Sequence, residues 1–457
     1  MKATLISLLV FFSTLEAQDY IAPTEPEVIA QLERWKDWKF GLLMHWGPYS
    51  QWGVVESWSI CPEDEDWNGR MGPFSKEGYF QYKSAYEALP ETFNPTKFNP
   101  VPWADAAKDA GMKYVIFTTK HHDGFCMFDT STTDYKITNP AYPFGRNQNA
   151  NIAKVVFDTF RSKGFGIGAY FSKPDWHSEN YWWPHFPPFN RRANYNLSKY
   201  PERWKTFVDY THEQIREIVT EYGKIDILWL DGGWVRAPRE DINMAQVATM
   251  AKMHQPGILV VDRDVHGEFE NYRTPEQQIP ETAPPYPWET CMTMGDSWSY
   301  VPGDKYKSTT TLIHLLCKIV SRGGNFLLNV GPDPEGNFDP IAYTRLKEIG
   351  EWMKVNGQAI YGSRPIEVNF ESPLLFTKGS DGSLYAILLQ DEQTTDLPEK
   401  VSIPLALIPK KHQASLLGTA RPLRTQASLD DKLTVFIPDS IRKKPPCHHA
   451  WVFKLSF

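Results

Sequence analysis

A chain of 457 residues, 41% of them apolar, holds ample material for one large core and a second domain. Its formal net charge of −7, from 48 basic and 55 acidic residues spread along the sequence, supplies no basic patch of the kind nucleic acid or an anionic membrane requires. A neutral partner fits better, and 17 Trp, 21 Tyr and 26 Phe provide, beyond core, faces on which sugar rings stack.

Residues 1–17 read as a secretory signal, with Lys2, an apolar run from Leu5 to Phe12, and Ala17 before the polar Gln18-Asp19. A secreted or periplasmic location is the expectation, without membrane insertion, since no stretch reaches the roughly 18 to 20 apolar residues a span needs. Five cysteines (Cys61, Cys126, Cys291, Cys317, Cys447) form no CxxC pair, so neither a disulfide framework nor a zinc site is implied. Asn196-Leu197-Ser198 is a formal glycosylation acceptor.

In chain order, a helix is expected over 26–39 and a buried strand over 40–47, with His45 at its carboxyl end. A long polar and aromatic loop, 51–91, suits a pocket cover. A helix over 102–110 and a strand over 113–119 lead to Lys120-His121-His122-Asp123-Gly124. The pattern repeats with helix 152–163 and strand 166–172, then a loop dense in Trp, Pro and His over 175–192 and helix 201–222. The run Ile225-Asp226-Ile227-Leu228-Trp229-Leu230 stops at Asp231-Gly232-Gly233 and reads as a parallel-sheet strand buried on both faces. Helix 242–254 and strand 258–261 precede Asp262-Arg263-Asp264. A Pro-rich loop over 274–287 runs into Trp288-Glu289-Thr290-Cys291-Met292; helix 309–321, strand 325–330 and helix 341–355 close the alternation.

Six or seven strand-helix units predict a (β/α)8-like barrel over 18–360, and the short strands after Gly357 predict a C-terminal antiparallel β-sandwich over 361–457. The barrel gathers His45, His121, His122, Tyr170, Asp231, Arg263 and Glu289 at one mouth, because catalytic groups of such folds sit at the carboxyl ends of strands. Their coincidence there is costly to explain as packing alone, since buried polar groups need partners. Adjacent histidines point in different directions and lack His-x-His spacing, which disfavours a metal site; a general base or hydrogen bonds to sugar hydroxyls remain. Two carboxylates are what glycoside hydrolysis requires, one ionised nucleophile and one proton donor roughly 5 Å away in retaining enzymes. Asp231, on a rigid strand end, suits the first role, and Glu289, on a desolvated loop beside Trp288, the second.

The segments Gly41-Leu42-Leu43-Met44-His45-Trp46-Gly47-Pro48-Tyr49-Ser50, Tyr114 through Phe125, and Trp229-Leu230-Asp231-Gly232 resemble the hallmark stretches of the glycoside hydrolase family 29 α-L-fucosidases, over most of residues 35–360. The resemblance implies a retaining exo-hydrolase of terminal α-L-fucose, working on fucosylated oligosaccharides or glycoconjugates with no metal or organic cofactor. It implies Asp231 as nucleophile, His45, His121, His122, Tyr170, Trp229 and Arg263 around the sugar, and Trp58 or Trp298 against its methyl group. Where many members carry Glu-Trp, this chain has Glu56-Ser57-Trp58, so only Trp58 is carried over. Glu289 is the choice for acid/base, with Glu268, Glu270, Glu276 and Glu281 as alternatives. A fucose- or galactose-type binding protein, or a barrel glycosidase for a related sugar, is the competing reading.

Overall fold

The structure, a computed structural model, describes residues 20–62, 70, 72–366, 374–390, 396–408, 412–428 and 431–456. The expected signal lies outside them. Seven strands, β1 (Phe40–Met44), β2 (Tyr114–Lys120), β3 (Gly166–Ser172), β4 (Ile227–Asp231), β5 (Leu259–Asp262), β6 (Glu289–Thr293) and β7 (Asn325–Asn329), form one sheet in the order β5-β4-β3-β2-β1-β7-β6. Every neighbouring pair is parallel. All strand residues are buried except Asp231, the one place where a strand end opens. Backbone 270–276 lies between the two edge strands: Glu270 bridges Val261 of β5, and Glu276 bridges Cys291 of β6. The curled sheet is thus joined through irregular chain.

Helices α1 (Pro26–Trp38), α2 (Tyr79–Glu87), α3 (Pro100–Asp109), α4 (Ile152–Ser162), α5 (Pro201–Glu221), α6 (Met244–His254), α7 (Thr309–Ser321) and α8 (Pro340–Asn356) alternate with the strands, except that α2 and α3 both fall between β1 and β2 and irregular chain joins β5 to β6. Five begin on capping side chains, Asn99, Asn151, Asn243, Ser308 and Asp339, each accepting a first-turn N–H that would otherwise have no partner. In α4 the helical period puts Ile152, Val156, Phe157 and Phe160 on the sheet side, where each is fully buried. Burial of that kind stabilises by about 1.5–3 kcal/mol per side chain. At Gly41 a Cβ would lie 2.4 Å from the Tyr114 ring, so glycine on β1 is what lets that ring fill the barrel.

Beyond α8, strands Leu374–Lys378, Leu384–Leu389, Gln413–Leu416 and Ala450–Ser456 belong to a six-stranded antiparallel sheet, and Lys400–Pro404, Thr425–Ala427 and Lys432–Phe436 to a three-stranded one. Phe376, Trp451 and Phe453 of the first meet Val401, Ile403, Leu433 and Val435 of the second in a shared core. The larger sheet docks on the barrel helices, Tyr385 and Ile387 joining the barrel core and Trp352 Nε1 donating to the Ala450 carbonyl at 2.9 Å.

Two expectations shift in ways that matter for the site. Strand β1 stops at Met44, so His45 stands just past its end. The stretch at Glu289, expected as loop, is the strand β6, and Glu289 is its first residue.

Candidate functional site

Asp231 ends β4, and Gly232 follows in the left-handed region at φ 86°, where any Cβ would strike the Pro174 ring. The chain therefore turns away sharply and leaves the carboxylate facing the mouth. Tyr170 of β3 donates its hydroxyl to Asp231 Oδ2 at 2.7 Å, and Arg263, just past β5, donates Nη1 to Oδ1 at 3.0 Å. His122 Nε2 stands 3.8 Å from Oδ2. Burial would raise this carboxyl, but Arg263, His122, the Tyr170 hydroxyl and the Gly232 N–H together hold it well below the usual carboxylate range. The result is a fixed anion whose side chain is 14% exposed.

Arg263 also reaches Glu276 through Nη2. One guanidinium therefore bridges two carboxylates, Asp231 almost enclosed and Glu276 with 43% of its side chain exposed. Backbone pairing with Cys291 on β6 anchors the Glu276 segment, and the shared Arg263 sets its carboxylate near that of Asp231.

Three histidines crowd beside them. His45 Nδ1 pairs with Asn329 Oδ1 at 2.8 Å, and its ring meets Tyr170 edge-on at 5.4 Å. His121 lies parallel to Tyr170 at 5.6 Å, with Nδ1 held by the Ser57 hydroxyl. Burial pushes His45 and His122 down to about 4 and His121 also well below its ordinary value, so all three are neutral at neutral pH. A neutral imidazole carries one donor and one acceptor, which matches a sugar hydroxyl. His121, His122 and Asp231 could also offer ligand atoms within 4.8 Å of one another to a cation. The Arg263 guanidinium on Asp231 opposes a divalent ion there by charge, and His121 Nδ1 is already engaged.

Aromatic rings line the walls. Trp298 packs on His45 at 5.3 Å. Trp58 contacts His122 at 5.2 Å, Trp176 at 5.3 Å and Trp234 at 5.7 Å, with the Arg191 guanidinium 4.8 Å from its ring. Trp229 floors the pocket, stacked on Tyr170 at 5.2 Å and 5.1 Å from Arg263. Its indole N–H points downward, to Glu289 Oε1 at 3.2 Å, so it offers the mouth a face and no donor.

Glu289 does not reach the mouth. It occupies the amino end of β6, opposite the carboxyl strand ends where Asp231 sits, is fully buried, and accepts from Tyr114 as well as Trp229. Burial pushes it up to about 7, with the neutral side chains around it, Tyr114 and Trp229 foremost and then Tyr272 and Trp35, only partly offsetting the effect. A proton donor to a leaving group must touch substrate, and this carboxyl is sealed beneath the pocket floor. The structure thus brings together Asp231, His45, His121, His122, Tyr170, Arg263, Trp58, Trp298 and the Trp229 face, and sets Glu289 apart. Glu276 was legible only as one acidic residue among several in an irregular stretch; its bridge to β6 carries no periodic signal. Trp176, Trp234 and Asn329 were not singled out at all, being brought in by tertiary packing.

A family model described as Alpha-L-fucosidase matches residues 8–358. The chain is 30% identical to the tissue alpha-L-fucosidase of Bos taurus over 446 residues, covering 92% of this chain and 87% of that one. Among solved structures, alpha-L-fucosidase isoenzyme 1 from Paenibacillus thiaminolyticus superposes with a TM-score of 0.78 at 29% identity, over 94% of this chain and 99% of that one. The Thermotoga maritima alpha-fucosidase in complex with fucose superposes with a TM-score of 0.71 at 26% identity, over 92% and 96%.

Proposed function

The chain belongs to the alpha-L-fucosidase family of glycoside hydrolases, and from that premise we propose that it releases terminal α-L-fucose from glycans with retention of anomeric configuration, using Asp231 as nucleophile and Glu276 as acid/base. The observation that carries this reading is the single guanidinium of Arg263 bonded to both carboxylates. It supports the short separation, about 5 Å, that a direct-attack carboxylate and its proton donor need, against the roughly 6.5–9.5 Å that makes room for an attacking water.

In the first step an Asp231 oxygen bonds to the anomeric carbon while the glycosidic C–O bond breaks, and the Glu276 proton passes to the departing oxygen. In the second, water attacks that carbon, Glu276 takes its proton, and the bond to Asp231 breaks. Tyr170 and Arg263 keep Asp231 ionised and aimed, so little reorganisation is needed at the moment of attack. His45, His121, His122 and Arg263 hold the hydroxyls, and Trp298 and Trp58 give the 6-methyl group an apolar wall. Glu276 swaps its contact with Arg263 for the leaving oxygen when glycan enters; its exposed position leaves it room to do so. Residues 1–17 route the enzyme out of the cytoplasm, and among the described residues no helix is long and apolar enough to cross a membrane.

Incubation with an aryl α-L-fucoside and the matching α-galactoside tests the reading. Release of the aryl group from the fucoside, retained stereochemistry of the first-formed sugar and loss of both in Asp231→Ala are expected. Turnover of neither substrate, or undiminished turnover by Asp231→Ala, ends it.

A further inference from the structure

Beside the mouth lies a groove of about 560 Å³ that the reaction above does not use. One wall is α2, in the long segment after β1; the other is the loop 182–188, after β3. Segments that follow barrel strands crowd the same end as the catalytic groups. The two places are joined by rings: His122, which faces Asp231, contacts Trp176 at 5.1 Å, and Trp176 stacks on Trp182 at 5.0 Å and 4°. Trp182 is also groove wall.

We propose that this groove binds the neutral sugars of the glycan that lie beyond the fucose, making the protein selective for fucosylated oligosaccharides over small fucosides; the inference rests on the α-L-fucosidase reading above. The lining has the chemistry of a saccharide platform. Phe80, 63% exposed, and exposed His185 leave aromatic surface open to solvent; Trp183 packs on His185 at 5.0 Å, and Trp182 shares the lining. Lys83, which pairs with Glu87 in the same lining, lies 6.0 Å from the Trp182 ring, so this pair presents donors and acceptors without a net charge for phosphate or sulfate. The wall is preformed: Asn194 bonds the Trp183 N–H at 2.8 Å, the Trp183 carbonyl at 3.0 Å and the Phe186 carbonyl at 2.6 Å, and Trp182 Nε1 donates to the Arg192 carbonyl at 2.9 Å. A rigid aromatic surface loses little ordering entropy when a flexible glycan settles on it.

The test compares wild type with the double variant Phe80→Ala, His185→Ala, both exposed positions, on an aryl fucoside and on fucosylated tetrasaccharides. The expected result is a KM for the tetrasaccharides raised about tenfold with aryl fucoside kinetics unchanged within about twofold. Tryptophan fluorescence should also respond to the defucosylated cores in wild type and not in the variant. Unchanged tetrasaccharide kinetics, parallel loss on both substrates, or no response of wild type to the cores overturns the inference. So does a change of sedimentation mass in the variant with kinetics intact, which would make the groove a contact between copies of the chain. Failure of wild type to release fucose from any substrate strikes the fucosidase reading instead, and core binding then still reports on the groove.

Discussion

The barrel interior holds two carboxylates on either side of one indole, and they behave oppositely. Asp231 lies above Trp229 at the mouth and Glu289 below it, both deprived of water, which by itself raises a carboxyl's pKa. Asp231 has a cation at 3.0 Å and is held well below its ordinary value, whereas Glu289 has neutral donors, Tyr114 and Trp229 foremost, and rises to about 7. Burial alone therefore makes neither a nucleophile nor an acid; the neighbour on the carboxylate decides, and access to the mouth decides whether the group can act at all.

The largest effect that bears on this contrast is removal of the mouth anion. Asp231→Ala should cost about three or more orders of magnitude in kcat on an aryl fucoside, with azide restoring turnover as the inverted fucosyl azide. Glu276→Ala should slow natural fucosides by about 10² to 10⁴, activated aryl fucosides far less, and azide should yield the retained product. Equal losses on both substrates would move the proton transfer to another residue.

Glu289 sharpens the same comparison through stability. Its folded pKa of about 7 lies above the ordinary 4.5, so the protonated form favours the fold; that stability is complete below about pH 4.5 and is lost as pH rises through 7. Glu289→Gln keeps an acceptor for Tyr114 and Trp229 and cannot ionise. The gain in its unfolding free energy over wild type should grow between pH 4.5 and 8 by an amount on the order of 3 kcal/mol, read from urea midpoints. The histidines slope the other way: His45 and His122, at about 4 when folded against 6.5, give stability that is full above 6.5 and lost as pH falls toward 4. With Glu289 replaced, the acid-side decline should therefore steepen. A flat difference across that range would remove Glu289 from the account.

The smallest effect is at Asn329, which holds His45 Nδ1 at 2.8 Å and the Trp298 carbonyl at 2.6 Å. Asn329→Ala should raise KM for an aryl fucoside about tenfold with kcat little changed, the cost of about one net hydrogen bond.

The alternation of strands and helices, Asp231 at a strand end before glycines, and the His121-His122 pair at another were all written in local pattern, because hydrophobic period and turn residues are properties of neighbouring positions. Glu289 and Glu276 were not so written. Both lie in a stretch where prolines erase periodicity, and a strand that begins at residue 289 looks, residue by residue, like a loop that contains it. Which end of the barrel a carboxyl faces depends on where the strand registers against β7, and whether it meets a guanidinium depends on chain brought back from β5. Those are long-range facts. The sequence by itself determined that carboxylates and imidazoles would be present among aromatic rings; only the tertiary structure decided that burial keeps those imidazoles neutral and which carboxylate faces solvent and a cation, because charge and burial act through space and not along the chain.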